Sequence, residues 1–252
     1  MKITLLQTDI RWASPEENIR RAEEMIDRSG HADLYVLPEM WATGFATEPE
    51  GIAEEESTAV SLAWMKETAC KHDCAISGSL AIRDAEGNYR NRHYFVTPEQ
   101  VTSYDKRHLF THGHEDEHYT RGERAVIAEW KGWRLLLQTC YDLRFPVFSR
   151  YGLAGEYDAI IYVANWPEKR QLAWETLTRA RAIENQCFVI AVNRVGDDEK
   201  CHYAGGSVVV DPIGHIICTA QTEEQSVCTE LNMERLCQMR QRFQVLDDRD
   251  RL

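Results

Sequence analysis

Short apolar runs alternate along this chain with longer amphipathic stretches, which restricts the fold to sheets whose faces are covered by helices. Strand-like runs fall at 3–7, 34–37, 75–82, 94–96, 125–128, 134–139, 159–164, 188–193, 207–210 and 216–220. Between them, the first helix is well marked. Ser14 is placed to cap it, Pro15 suits its first position, Glu17 completes a capping box and Gly30 stops it. Further helices are expected over 57–72, 146–151 and 168–185.

Neither a Pro/Gly/Ser-rich linker nor a low-complexity tract divides the 252 residues, so one domain spanning 1–252 is expected. The formal net charge of -12 argues against a nucleic-acid partner, which requires a basic surface. Met1-Lys2 leads directly into the strand-like Ile3-Thr4-Leu5-Leu6, without a signal-peptide pattern, and no apolar run has the length of a membrane span. The eight cysteines do not form the pattern of a small disulfide scaffold and suit a reducing compartment, so a cytoplasmic location is expected.

Two strand-like runs end in residues with chemical potential, and a charged cluster followed by apolar residues holds a third. The run 135–139 stops at Cys140, followed by Tyr141-Asp142-Leu143-Arg144-Phe145-Pro146. A thiol at a strand end, where backbone N–H groups converge, is a candidate nucleophile with a lowered pKa; a buried, inert cysteine is the equal alternative. Glu39 follows Leu34-Tyr35-Val36-Leu37-Pro38, where it reads either as a part-buried general base or as a solvated turn acid. Lys106 follows Tyr104-Asp105; taken alone, it is a surface cation.

Together, Glu39, Lys106 and Cys140, in that order, resemble the nitrilase superfamily of carbon-nitrogen hydrolases. The resemblance rests on Leu37-Pro38-Glu39-Met40, Lys106-Arg107-His108-Leu109-Phe110 and Cys140-Tyr141-Asp142-Leu143-Arg144-Phe145-Pro146. Companion segments include Asn165-Trp166-Pro167, Asn193-Arg194-Val195-Gly196 and the run 206–214, so the similarity extends from Ile3 to about Leu231. It implies a four-layer α-β-β-α sandwich and a homodimer in which the layers continue between subunits. Trp174 and Leu177 are candidates for core or interface packing, with core packing preferred.

The same resemblance implies that Cys140 attacks an amide carbon, Glu39 acts as general base and then acid, and Lys106 stabilises the tetrahedral intermediate. The backbone N–H of Tyr141 is the second implied oxyanion donor. Glu115 corresponds to an additional glutamate that orients Lys106 or the amide, with Asp116 and Glu117 as neighbouring alternatives. No metal or cofactor is implied. His112, His114 and His118 are irregularly spaced for a zinc site, and Cys70 and Cys74 lack a matching second pair.

Trp41, Phe45 and Trp166 are candidate walls of a substrate pocket, each with core packing as the alternative. Arg144 could hold a substrate carboxylate, although a structural ion pair is preferred for it. Leu37-Pro38-Glu39-Met40-Trp41 with Gly44-Phe45, the Lys106 segment and Gly132-Trp133-Arg134 are most similar to omega-amidases, which implies terminal amides of α-keto acids as substrates. An N-carbamoyl or aliphatic amide hydrolase is the nearest alternative. A nitrilase, a non-catalytic dimeric scaffold and a redox-sensing thiol protein are more distant ones, and the absence of a C-x-x-C pair weighs against the last.

Overall fold

The computed structural model describes residues 1–250 and contains two large sheets packed face to face. The first has the strand order Gln225–Glu230, Lys2–Gln7, Leu34–Val36, Ala75–Arg83, Tyr89–Val96 and Val101–Asp105, with the short strand Glu54–Glu55 paired to the far end of Ala75–Arg83. The second has the order Ile216–Thr219, Val208–Val210, Phe188–Asn193, Ala159–Ala164, Trp133–Thr139 and Ile127–Trp130. Each sheet has three adjacent parallel strands, flanked by antiparallel ones. Parallel neighbours need crossover connections, and Pro15–Ser29, Val60–His72 and Gln171–Asn185 supply helices for three of them.

Strand alternation builds the layers. Ile3, Leu5, Leu34, Val36 and Phe95 point from the first sheet toward Leu135, Leu137, Ile161, Val163 and Ile190 of the second. The intervening residues turn outward. Leu6, Tyr35, Leu37 and Ile76 meet Ala22, Ile26, Met65 and Ala69 of the first two helices, whereas Leu136, Ile160 and Val189 pack with Trp174 and Ala182. The expected α-β-β-α sandwich is therefore present. A fully buried aliphatic side chain in such a layer contributes about 1.5–3 kcal/mol, so truncating Ile161 would leave a costly cavity.

Several local expectations differ from the structure. Pro15 and Gly30 bound the first helix as expected, but the capping box does not form. Ser14 Oγ donates instead to Trp12 O, and Glu17 pairs with Arg20. Asn18 fixes the entry to this helix, accepting from Arg11 N and donating to Ala42 O. The stretch 57–72 divides into a 3₁₀ turn, Glu56–Thr58, and the helix Val60–His72; the stretch 168–185 divides similarly at Gln171. The helix expected over 146–151 is limited to Pro146–Ser149.

The strand expected at 94 begins at Tyr89, because pairing makes its charged residues compatible with a sheet: Arg90 meets Asp84, and Arg92 meets Asp105 and Glu56. The polar strand Val101–Asp105, the strand Gln225–Glu230, the hairpin of Val195–Asp197 with His202–Ala204 and the helix Met233–Arg242 lie outside the expected elements. Trp174 is fully buried, with its indole N–H donating to Gly206 O, consistent with the preferred core packing.

Candidate active site

Glu39, Lys106 and Cys140 converge because each lies just beyond the end of a strand: Leu34–Val36, Val101–Asp105 and Trp133–Thr139 respectively. In a packed α/β arrangement these ends are free to display polar groups that the sheet interior could not hold. Past Pro38 the chain turns sharply, with Met40 at φ 43° and its N–H donating to Ser79 Oγ at 2.9 Å. Lys106 is fixed through its backbone, donating to Asn91 O and accepting from Gly122 N, both at 3.0 Å. Gly122 is required there, since a Cβ would collide with the Asp105 carbonyl.

Cys140 also has φ 43°, in the left-handed region that non-glycine residues rarely adopt. Such a conformation costs on the order of 1–3 kcal/mol and must be held by its surroundings. The holding group is Asp142. Its Oδ2 accepts from Thr139 N at 2.9 Å and from the Tyr104 hydroxyl at 2.7 Å.

The Lys106 ammonium lies between two fully buried carboxylates. Nζ is 2.8 Å from Glu39 Oε1, and 3.1 and 2.8 Å from Glu115 Oε1 and Oε2. Phe110 N donates to Glu115 Oε2 at 2.7 Å, whereas Glu39 Oε2 accepts from Asn165 N at 2.9 Å. Asn165 Nδ2 also donates to the Glu39 carbonyl at 2.7 Å. Burial opposes the ammonium charge, but Glu115 and then Glu39 outweigh it, and the Lys106 pKa rises. Burial raises the Glu115 pKa, with Lys106 opposing the shift.

The thiol shifts in the opposite direction to the expectation of a lowered pKa. Burial, followed by the adjacent Glu39 carboxylate, holds Cys140 well above the ordinary thiol value, with Lys106 only partly opposing them. A neutral thiol beside a carboxylate is arranged for proton transfer during attack, in contrast to a preformed thiolate.

Cys140 opens onto a cavity of about 110 Å³ whose lining includes Phe45, Phe110, Tyr141, Trp166 and Arg144. Phe45 and Trp166 line this cavity. Trp41 does not: it packs against Trp64 at a centroid distance of 5.0 Å, on the outer face of the first sheet and over Gly78. The turn after Pro38, with Met40 at positive φ, directs it into that layer.

Arg144 also departs from the structural ion pair preferred for it. Among the described residues it has no carboxylate partner, and its guanidinium lies over the Trp166 ring at 4.8 Å, facing the cavity. Arg170 and Lys200 add two further cations to the lining. The one lining carboxylate, Asp198, is engaged by Tyr203 Oη and by the backbone N–H groups of Lys200 and Cys201.

The acidic segment resolves into separate roles for its residues. Glu115 is buried at the Lys106 ammonium, whereas Asp116 and Glu117 are exposed. His114 pairs with Glu117, and His118 faces Glu50. No cluster of three potential metal ligands occurs among the described residues. Asn91 and Asn165 were not assigned roles from the sequence. Asn165 follows the apolar strand Ala159–Ala164, where a polar amide demands a partner once buried, whereas Asn91 lies between two arginines and gives no such signal.

Comparison with known proteins agrees with this geometry. Residues 2–241 match the carbon-nitrogen hydrolase family. The chain is 42% identical to the omega-amidase YafV of Escherichia coli (strain K12), covering 99% of this chain and 97% of that protein. It is 36% identical to the 2-oxoglutaramate amidase of Bacillus subtilis (strain 168), covering 98% and 96%. The crystal structure of a CN-hydrolase superfamily protein from Xanthomonas campestris, with an arsenic adduct in its active site, superposes with a TM-score of 0.95 at 40% identity, covering 100% and 98% of the two chains. With a matching family model, full-length relatives and a shared fold, this chain belongs to the carbon-nitrogen hydrolase family.

Proposed function

We propose that the protein is an omega-amidase, hydrolysing the terminal carboxamide of a small α-keto acid to a carboxylate and ammonia through a thioester on Cys140. The observation that carries this reading is the Lys106 ammonium held between Glu39 and Glu115 beside a neutral thiol, at the floor of a cavity lined with aromatics and cations. The full-length similarity to omega-amidases supports the substrate class.

In the proposed reaction Cys140 Sγ attacks the amide carbon as its proton passes to Glu39. The carbonyl oxygen becomes an oxyanion stabilised by Lys106 and the Tyr141 backbone N–H; each such donor is typically worth roughly 3–4 kcal/mol. Glu39 returns the proton to the departing nitrogen, the C–N bond breaks, and ammonia leaves a thioester. Water then gives a proton to Glu39 and attacks the thioester carbon. Collapse releases the carboxylic acid, which loses its proton in solution to give the carboxylate, and the proton on Glu39 restores the thiol. Glu115 remains bound to Lys106 and keeps the ammonium in place.

Substrate choice follows from charge. An α-keto acid brings a carboxylate that Arg144 can hold while Phe45 and Trp166 enclose the carbon chain. The ammonium of glutamine or asparagine would enter a cavity already lined by Arg144, Arg170 and Lys200 and find no free carboxylate among the lining residues.

A single unit spanning residues 1–252, assembled as a homodimer, completes the proposal. Leu172, Ile183, Ile213 and Ile216 form exposed apolar surface near the groove between the helix Gln171–Asn185 and the strands Val208–Val210 and Ile216–Thr219. Such surface favours burial against a second copy. Eight free cysteines, with Cys140 required in its reduced form, favour residence in the cytoplasm. Ammonia release from 2-oxoglutaramate, glutamine, an N-carbamoyl amino acid and an aliphatic amide tests the function. The expected order places 2-oxoglutaramate far ahead in kcat/KM, and an equal or higher value for the carbamoyl compound overturns the substrate assignment.

A further inference from the structure

The Asn91 side chain occupies a point between the two catalytic-centre carboxylates. Its Nδ2 donates to Glu39 Oε1 at 2.8 Å and to Glu115 Oε1 at 2.9 Å. Those same two oxygens face Lys106. Asn91 Oδ1 accepts from Ser79 Oγ at 2.9 Å, and Ser79 Oγ accepts from Met40 N, next to Glu39 in the chain. The amide orientation follows from the chemistry, because only an NH₂ group can donate to both carboxylates. All of these side chains are buried.

Two carboxylates that approach one nitrogen this closely repel each other, and when both are buried the ordinary response is to share a proton. One ammonium compensates only one of their two charges. A proton held by the pair would leave Glu39 unable to accept the proton of Cys140. We propose that Asn91 is a positioning residue for the general base, whose NH₂ group keeps Glu39 and Glu115 apart and ionised so that they share Lys106 without sharing a proton.

This proposal rests on the thioester-amidase reading of the site and concerns how its base is held ready. Lys106 and Cys140 are the other titratable groups that face the pair. Tyr119 is nearby, but its hydroxyl donates to Ala46 O, away from them. Ser79 acts at one remove by orienting the Asn91 carbonyl.

The test is the pH dependence of Asn91→Ala and Ser79→Ala. For Asn91→Ala the acid limb of kcat/KM is expected to move upward by about one pH unit or more, as loss of a hydrogen-bond donor to ionised carboxylates requires. At neutral pH kcat should fall about tenfold or more, with KM changing less than about threefold. Ser79→Ala should move the limb in the same direction by a smaller amount, and it serves alone if Asn91→Ala does not fold.

Alkylation of Cys140 by iodoacetamide, followed by mass spectrometry over the same pH range, gives an independent readout that requires no amide turnover. It should show the same displaced limb. Wild-type enzyme that alkylates normally but releases no ammonia from any amide would refute the amidase reading while leaving the Asn91 test intact. An acid limb unchanged from wild type in the folded variants, by both readouts, overturns the role proposed for Asn91.

Discussion

Asp142 Oδ1 takes two hydrogen bonds from one residue, His108: the backbone N–H at 2.9 Å and ring Nδ1 at 2.7 Å. Its other oxygen holds Tyr104 and Thr139. One buried carboxylate thereby fastens the loop that follows Lys106 to the turn that begins at Cys140. The adjacent Phe145 ring stacks on His108 at 3.9 Å and keeps the imidazole in register.

Replacing Asp142 with Asn should therefore impair both the fold and the reaction. One acceptor oxygen becomes an NH₂ group that faces donors, and each buried donor left unpaired costs about 1–3 kcal/mol. The expected result is a lower Tm by calorimetry together with a kcat reduced about tenfold or more, since small displacements of nucleophile against cation are expensive. Unchanged kcat in the folded variant would show that the two loops keep their relation without this tie.

Glu39→Gln and Lys106→Ala should each lower kcat by about a hundredfold or more, with smaller changes in KM. Glutamine cannot take the thiol proton. In Lys106→Ala the two carboxylates lose their cation, so proton uptake by the pair should accompany the variant and be detectable by difference titration. Near-normal turnover in either variant removes that residue from the proposed mechanism.

Arg144→Leu distinguishes recognition from chemistry. Loss of a charge-assisted contact worth about 1.5–3 kcal/mol should raise KM for 2-oxoglutaramate by roughly 10- to 100-fold, leaving hydrolysis of an uncharged amide nearly unaltered. Equal losses for both substrates would assign Arg144 to packing against Trp166 and not to substrate recognition.

His93 gives a prediction for stability. It is fully buried between the sheets, with Nε2 2.8 Å from Ser77 Oγ and Nδ1 3.2 Å from Gln138 O. Burial depresses its pKa to about 3, weakly opposed by the Gln138 carbonyl. In the unfolded chain the ring titrates near about 6.5. Above that value both states are neutral and the stabilisation is fully present; as pH falls from there toward about 3, the unfolded chain binds a proton that the folded one refuses. The loss is at most about 1.4 kcal/mol per pH unit. The stability difference between wild type and His93→Gln, measured by denaturant unfolding, should therefore narrow from pH 7 to pH 4.5. A constant difference would contradict the buried neutral assignment.

The candidate catalytic constellation is legible from its chain order, with Glu39 and Cys140 directly after apolar strand signals; the strand before Lys106 is too polar to give one. Glu115 was legible as one of three neighbouring acids; only burial separates it from Asp116 and Glu117. Asn91 was hidden by the charged residues around it, whose partners Asp84, Asp105 and Glu56 lie apart in sequence and meet only in the folded sheet. Trp41 was misplaced for a related reason. The direction of a side chain after a turn with positive φ at Met40 does not follow from strand alternation alone. The raised thiol pKa of Cys140 likewise depends on how closely Glu39 and the surrounding core approach it, which strand-end position does not specify.

The most direct test of the account is mass spectrometry of the Cys140 peptide after acid quenching during turnover of 2-oxoglutaramate. The account predicts that this peptide alone gains the mass of the keto-acyl group with ammonia lost, and that Cys140→Ala shows neither adduct nor ammonia release. Steady ammonia production by a folded Cys140→Ala variant, at more than about a hundredth of the wild-type rate, would contradict a thioester mechanism.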